Sequence, residues 1–573
     1  MINLINPSKP AIRLSVLFFL GVVSLSLYIY GRSWLSEPAF ELDLPEVSVP
    51  IIPATGEVQI GIYDTLELVF TASVSPGNPF DTYLLKVEIT DPAGKKFVID
   101  GFFDGNGRGG QDGRIWKARI TPYAAGKWTW RTVPGDQADP QLLDISGEFD
   151  AVANQNTGGV VQEGKYFRFQ NGGIVYLVGN FLDLADNLRT THTFMSETTT
   201  DAQRDAILKR QRDFHNVNKA NIYFANWRDY DEQSVTPWVG DARKNDKTKM
   251  DLSRWRSYDR YILLFKQNRI MAEMWFFADD SRFGEVSEVD KQRLGRYAMA
   301  RTSAFSHTLY VIALEWQEDW THAEVVRFGN FLQQYNPWDR LLSVHSITSS
   351  EWEFSGEPWA TFIASQAGNG AAPKRVNKYA IDVINPEDLP HISEEFGYLN
   401  SDSDPEMRAK LWANFTSGAA GSGTGSDLKA FNRFLAESRV PFQRMQPANE
   451  LVADGGESRF VLAEPGHHYV VYSSSGSFNL NVSGQNLVGR WFNPRDPDAS
   501  LQPPFNIPEG DLSLTPPTSA NEDWVLWVSD GSNLNTGVTH ASPGNSMLSI
   551  NFSGVDFNIG QVFLPVICSP KSR

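Results

Sequence analysis

Acidic side chains recur at the ends of short apolar runs in the middle of the sequence. Glu318 and Asp319 follow the run at 310–316, and Glu395 lies near the end of the run at 390–396. Two carboxyl groups that flank a glycosidic bond can cleave it, one as proton donor and the other as nucleophile. Polar and aromatic side chains that can contact a sugar ring stand at the ends of these and neighbouring runs. They are Asn226, Trp227, Trp275, Trp320, His345, Trp352 and Tyr398.

Eight such runs alternate with helical stretches between residues 160 and 447. This alternation predicts a (β/α)8 TIM barrel. Active sites of such barrels lie at the C-terminal ends of the strands, so we expect the residues above to meet there. The runs are 174–180, 220–226, 270–277, 310–316, 340–346, 361–366, 390–396 and 417–422.

Apolar and polar residues alternate with period two on both sides of the predicted barrel. Residues 58–155 form short alternating runs separated by turn residues, which predicts an antiparallel N-terminal β-sandwich. Residues 450–573 return to this pattern and predict a C-terminal β-sandwich with a tail. The chain is therefore expected to be multidomain, with two sandwiches flanking the barrel.

Residues 14–30 carry no charged side chain. Their length is at the lower limit for a membrane-spanning helix, about 17–25 residues. Basic residues precede the run, which predicts a cytoplasmic N-terminus at 1–13, a transmembrane signal anchor at 14–31 and a periplasmic or extracellular body. Residues 32–57 are rich in Pro, Glu and Ser and are interpreted as a linker. Cleavage as a signal peptide is the alternative, although no A-x-A site follows the apolar run.

Charge and cysteine content exclude several classes of protein. The chain has 51 Lys and Arg against 68 Asp and Glu, a net charge of −17, which argues against a nucleic-acid partner. Its single cysteine, Cys568, cannot form an internal disulfide or a cysteine-based zinc site. The 17 tryptophans suit a protein that handles sugars.

The sequence PHISEEFGYL at 390–399 resembles the seventh strand of the clan A glycoside hydrolases, in which a Glu before Phe-Gly is the nucleophile. The resemblance implies that role for Glu395. The fourth run resembles the clan's acid/base strand, which usually ends in Asn-Glu. Here the resemblance implies Glu318 if the preceding Gln takes the place of the Asn, and Asp319 if the strand aligns with relatives ending in Gly-Glu-Glu. Glu315 comes earlier on this run, and we interpret it as a structural residue that points into the barrel core.

The flanking regions carry a second resemblance. GFFDGNG at 101–107 and GKWTW at 126–130 are similar to the N-terminal sandwich of collagenase-like and apiosidase-like glycoside hydrolases. GRWFNPRD at 489–496, followed by DWVLWV at 523–528, is similar to their C-terminal sandwich, which is often labelled collagen-binding. The resemblance implies a retaining glycoside hydrolase that acts on a poly- or oligosaccharide and requires no metal or organic cofactor.

The irregular acid/base strand leaves an alternative open. Without the Asn-Glu pair, the barrel can instead be catalytically inactive and serve as a polysaccharide-binding or adhesion protein. The body is expected to associate with the membrane through its N-terminal helix under either hypothesis.

Overall fold

The structure is a computed structural model. It describes residues 51–53, 58–179, 194–213, 216–226, 236–241, 244–278, 286–368, 370–384, 386–395, 404–423, 428–518, 521–535 and 547–551. Within these ranges no helix is long and apolar enough to cross a membrane. The anchor predicted at 14–31 lies outside them, as does most of the predicted linker.

Two five-stranded sheets form the N-terminal part, and their apolar faces pack together. Trp128 and Trp130 are buried while the residues between and after them are exposed, which is the alternation expected of a strand with one face in a core. Phe70 on the other sheet meets Trp130 edge-on at 6.1 Å. The strands are β1 (Ile51–Pro53), β2 (Gln59–Gly61), β3 (Thr65–Thr71), β4 (Leu85–Thr90), β5 (Lys96–Asp100), β6 (Phe102–Phe103), β7 (Ile115–Ile120), β8 (Gly126–Pro134) and β9 (Ser146–Val152).

The middle of the chain contains two four-stranded parallel sheets. In chain order its strands are β10 (Val160–Glu163), β11 (Tyr166–Phe169), β12 (Ile174–Val175), β13 (Leu177–Val178), β14 (Lys219–Asn226), β15 (Trp238–Gly240), β16 (Asn245–Met250), β17 (Met271–Ala278), β18 (Thr308–Ala313), β19 (Leu342–Ser343), β20 (Ile363–Gln366), β21 (His391–Glu395) and β22 (Gly421–Ser422). One parallel sheet has the order β14-β17-β18-β19 and the other β13-β22-β21-β20. Each of the eight predicted runs therefore contains one of these strands.

Backbone contacts link the two parallel sheets at both of their edges. The Asn218 amide donates to the Val178 carbonyl at 3.0 Å, which joins β14 to β13. His345 and Ala364 form a parallel bridge, which joins the end of β19 to β20.

Helices lie between these parallel strands in the chain. They are α1 (Asp201–Asp213), α2 (Leu252–Gln267), α3 (Glu288–Thr302), α4 (His322–Gln334), α5 (Pro373–Tyr379), α6 (Asp404–Thr416) and α7 (Leu428–Ser438). Local sequence fixes where several of them start. The Asp251 carboxylate accepts from the first free amides of α2, and Thr321 and Glu324 form a capping box at the start of α4.

The C-terminal part is again built of β-strands. They are β23 (Gln446–Pro447), β24 (Arg459–Glu464), β25 (His468–Ser473), β26 (Phe478–Val482), β27 (Leu487–Phe492), β28 (Phe505–Ile507), β29 (Gly510–Leu514), β30 (Trp524–Ser529) and β31 (Met547–Asn551). A six-stranded sheet and the β26-β29 pair enclose an apolar cluster of their own. The strand β31 instead lies between β1 and β3 and runs parallel to both, so this segment of the predicted C-terminal domain belongs to the N-terminal sheets.

Buried charged side chains connect the N-terminal sheets to helices α2 and α3. Arg119 of β7 donates to Asp259 of α2 at 2.7 and 2.8 Å, and to Glu67 of β3 at 2.9 and 2.7 Å. Arg301 of α3 donates to Asp259 at 2.7 Å and to Asp104 at 2.7 Å. We call this set the interdomain network, and its buried members are Glu67, Asp104, Lys117, Arg119, Asp259 and Arg301.

The interdomain network balances three cations against three carboxylates, so no net charge is buried. Burial alone would raise the pKa of Asp259, but Arg119 and Arg301 outweigh it and hold that pKa well below its usual range. The network therefore stabilises the interface only while its carboxylates are ionised.

Replacement of Asp259 by Asn is expected to destabilise the protein by about 3–5 kcal/mol at neutral pH, because two buried guanidinium groups lose their carboxylate. Since the folded-state pKa of Asp259 is depressed, its contribution is present above the unfolded pKa and declines as the pH falls. Thermal unfolding at pH 7 and pH 4 measures both effects. Glu148→Gln is the control, because Glu148 pairs with Lys127 on the exposed surface, and its melting temperature should match the wild type. Equal melting temperatures for Asp259→Asn and Glu148→Gln would contradict this interpretation.

Candidate active site

Glu395 is the last residue of β21 and is buried. The pairing of β20 with β21 shifts at this point: Ser365 pairs with Ser393, but Gln366 pairs with Glu395. Glu394 is therefore an extra residue in β21, which is a β-bulge. Bulges redirect side chains at strand ends, so Glu394 and Glu395 need not follow the simple alternation of a regular strand.

Glu315 lies just past the end of β18, which stops at Ala313. It has a φ of 42°, a left-handed conformation that is uncommon for a residue other than glycine or asparagine. Its carboxylate accepts a hydrogen bond from the Gln366 side-chain amide. Its own amide donates to His345 Nδ1 at 3.3 Å. The structure thus brings Glu315 against Gln366, the residue that pairs with Glu395.

Glu318 and Asp319 lie farther along the turn and are exposed. Glu318 ends the short 3-10 helix Trp316–Glu318, and its amide donates to the Glu315 carbonyl at 2.9 Å. A proton donor near neutral pH requires a desolvated or anionic setting.

The sequence predicts a strand that continues through Trp316, on which Glu315 points into the barrel core as a structural residue. The structure ends β18 three residues earlier, at Ala313, and Glu315 follows in a left-handed conformation.

His345 is buried at the end of the β19 segment, and its ring lies 5.5 Å from that of Trp275. Burial, with a smaller contribution from Lys219, lowers the pKa of His345 to about 3, so its imidazole is neutral. Because Nδ1 accepts from the Glu315 amide, the proton of the neutral ring belongs on Nε2. Within the described part of the chain Nε2 has no hydrogen-bond partner.

Three charged side chains, which we call the buried lysine cluster, lie between the parallel strands. Lys219 of β14 donates to Glu273 of β17 at 2.8 Å and to both carboxylate oxygens of Glu394 at 3.0 and 2.8 Å. All three side chains have no exposed surface. Burial and the neighbouring Glu273 carboxylate raise the pKa of Glu394, and Lys219 offsets them only in part.

The tryptophans predicted to contact sugar are placed in aromatic packing. Trp275 has no exposed surface, Trp320 packs on Phe277 at 5.4 Å, and Trp352 packs on Phe354 at 5.4 Å. Of these three tryptophans, Trp275 alone has its ring against that of His345. Their stacking on a sugar stays a prediction, and so do the roles of three further residues: Trp227 and Tyr398 lie outside the described residues, as does the side chain of Asn226.

A search of the described ranges for metal-binding geometry finds no group of three or more His, Cys, Asp or Glu that could hold an ion. Asp104, which lies in a Gly-rich turn, is engaged by Lys117 and Arg301 at 2.9 and 2.7 Å.

Known proteins share this architecture. Residues 59–134, which contain β2 to β8, match the model of a family described as "Domain of unknown function (DUF5060)". A candidate glycoside hydrolase from Bacteroides vulgatus has a similar structure, with a TM-score of 0.65 and 17% identity over 82% of this chain and 100% of its own. A family 5 glycoside hydrolase from the same species gives a TM-score of 0.51 and 15% identity over 68% of this chain and 96% of its own.

The chain has the fold of these glycoside hydrolases. A further structure named a glycoside hydrolase gives a TM-score of 0.50 and 15% identity, over 66% of this chain and 98% of its own. No curated protein matches the sequence significantly. At such low identity the likeness extends to the fold, and the chemistry has to be argued from this chain's own residues.

Replacement of Lys219 by Met is expected to destabilise the protein by about 3–5 kcal/mol, because two buried carboxyl groups lose their cation. The folded-state pKa of Glu394 is already raised, and removal of Lys219 raises it further. A carboxyl group whose pKa is raised in the folded state stabilises the protein at pH values below the group's unfolded-state pKa, and this stabilisation is lost as the pH rises. The melting temperature of Lys219→Met should therefore fall further below the wild type at pH 8 than at pH 5, as measured by differential scanning calorimetry. A deficit that is the same at both pH values would contradict this.

Proposed function

We propose that this chain is a retaining glycoside hydrolase in which Glu395 is the nucleophile and Glu315 the proton donor. One observation carries the assignment: Gln366 pairs with Glu395 along the strands and donates its side-chain amide to the Glu315 carboxylate. Gln366 thus stands beside both residues, in strand pairing with Glu395 and in hydrogen-bond contact with the Glu315 carboxylate. A retaining glycosidase holds its two carboxyl groups about 5–5.5 Å apart.

The two residues have complementary tasks in this reaction. The Glu395 carboxylate attacks the anomeric carbon while the protonated Glu315 carboxyl gives its proton to the departing glycosidic oxygen, which leaves a glycosyl ester on Glu395. Glu315, now ionised, takes a proton from water, and the resulting hydroxide equivalent displaces Glu395 from the anomeric carbon. The sugar is released with its original configuration, and both carboxyl groups return to their starting states.

The parallel strands are proposed to close into the predicted (β/α)8 barrel. The Asn218–Val178 hydrogen bond and the His345–Ala364 bridge support closure at both edges. In this arrangement the C-terminal ends of β18 to β21 form one face, where such barrels hold their active sites. The neutral His345 then offers its Nε2–H to a sugar hydroxyl or to Glu395.

Glu315 replaces Glu318 and Asp319 as the proposed acid/base for a physical reason. Glu315 is half-buried and lies beside Gln366 and His345, whereas the other two carboxyl groups are exposed. In chain order Leu314 then stands where clan A enzymes carry the Asn.

Leu314 also favours a second candidate function, a barrel that binds a polysaccharide without cleaving it. Its side chain has no amide with which to hold a sugar hydroxyl. Tight binding of a polysaccharide by the wild-type protein, with no release of reducing ends, would support this candidate over the first.

The remaining assignments are proposals of the same kind. The chain is proposed to belong with the collagenase-like and apiosidase-like glycoside hydrolases and to act on a poly- or oligosaccharide. It is proposed to be held at the membrane by residues 14–31, with its body outside the cytoplasm. The apolar run and its basic flank support this placement.

The acid/base assignment is tested by four variants and a panel of polysaccharides and aryl glycosides. Glu395→Gln should abolish cleavage of every substrate. Glu315→Gln should lower polysaccharide cleavage by about 10²–10⁴-fold, but should lower cleavage of dinitrophenyl glycosides far less, because their leaving group needs little protonation. Glu318→Gln and Asp319→Asn are the matched controls and should retain nearly full activity.

Two outcomes would overturn the assignment. Full activity in Glu395→Gln would remove the nucleophile. A loss of activity in Glu318→Gln or Asp319→Asn that depends on the leaving group, with no such loss in Glu315→Gln, would assign the acid/base role to Glu318 or Asp319 instead.

A further inference from the structure

The bulge in β21 is held from both of its neighbouring strands. On one side the Ala367 amide donates to the Glu395 carbonyl at 3.1 Å, and on the other the Gly423 amide donates to the Ser393 carbonyl at 2.6 Å. A Cβ atom at Gly423 would come within 1.6 Å of the Glu394 carbonyl oxygen, so only glycine allows this approach. The backbone of the bulge is therefore tightly confined on its flanks.

The side chain of Glu394, the extra residue of the bulge, is held by Lys219 of β14. Lys219 Nζ lies within hydrogen-bond distance of both carboxylate oxygens of Glu394, and it also binds Glu273. These contacts join β14, β17 and β21 through a single ammonium group. Since Glu394 immediately precedes Glu395, a change in the position of one alters the position of the other.

Stability alone does not account for this cluster. Desolvation of buried charges costs so much that apolar residues of similar volume often replace a buried ion pair without loss of stability. An ammonium group with two carboxyl groups, buried between strands of the two parallel sheets, therefore points to a requirement for a particular geometry. The geometry in question is the register in which Glu395 stands opposite Gln366.

We propose that Lys219 is a positioning residue for the nucleophile: its hydrogen bonds to Glu394 fix the bulge that places Glu395 opposite Gln366. This inference rests on the proposed function for its catalytic consequence. The dependence of the bulge on Lys219 does not rest on the proposed function. Lys219 itself touches no reacting atom in this account.

Full-length Lys219→Met and Lys266→Met proteins provide the central comparison. Lys266 of α2 is an equally buried lysine that pairs with Asp64 at 3.2 Å, in the contact between α2 and the N-terminal sheets. Steady-state kinetics on the best substrate of the panel should show kcat at least tenfold lower in Lys219→Met, with KM within twofold of the wild type. Lys266→Met should keep both constants within twofold, whatever its melting temperature. Equal kcat values for the two variants would overturn the proposal.

Two further variants keep the test decisive if Lys219→Met does not fold. Glu394→Gln retains the volume of the side chain but weakens its bond to Lys219, and Gly423→Ala forces the Glu394 backbone to move. Both should lower kcat with little change in KM, Gly423→Ala by the larger factor. Wild-type kcat in both variants would overturn the proposal.

A crystal structure of Lys219→Met, or of Gly423→Ala if the first does not fold, separates this inference from the proposed function. A shifted register at residues 393–395 supports the inference even when the wild-type protein cleaves no glycoside, and in that case the proposed function alone fails. Retention of the Gln366–Glu395 pairing in the variant overturns the inference, whether or not the wild-type protein is an enzyme.

Discussion

A charge placed inside a protein has to meet an opposite charge at close range, and this constraint fixes the strand ends of the present molecule. Lys219 has no contact with solvent, so its ammonium group must be satisfied by Glu273 and Glu394. Those two partners stand on different strands, and the strands are thereby held in one relative position. The bulge at Glu394 and the place of Glu395 follow from the same contact.

The same constraint operates between the N-terminal sheets and the helices. Arg119 and Arg301 approach Asp259 from two different elements, and neither guanidinium group can be removed without leaving a buried carboxylate underpaired. The interdomain network thus fixes α2 and α3 against β3 and β7. These helices precede and follow β17, which carries Glu273 and Trp275. The sheet that contains β17 is therefore held by the interdomain network through these helices, as well as by Lys219 from within.

The sequence predicts much of the architecture because periodicity is a local property. All eight apolar runs overlap parallel strands, including the short ones at 361–366 and 417–422. The position of Glu395 at the end of its strand also follows from a local motif. The pairing of β31 with β1 and β3 joins residues far apart in the chain, and no local pattern indicates it.

The end of β18 was not predicted because strand ends are the least visible feature of a sequence. An apolar run that continues through Trp316 gives no indication that β18 stops at Ala313. The left-handed conformation at Glu315 cannot be predicted from a glycine either, because none is present there. The bulge at Glu394 depends on its partner strand, which a single run cannot reveal.

The proposed mechanism requires a covalent bond between Glu395 and the sugar. This bond can be detected by mass spectrometry of peptides from the full-length protein after reaction with 2-deoxy-2-fluoroglycosides of several configurations, which slow hydrolysis of the glycosyl ester. We expect one fluoroglycosyl group on Glu395 and none on the adjacent Glu394. Attachment to Glu394 or to a residue outside β21 would contradict it, as would hydrolysis that inverts the anomeric configuration.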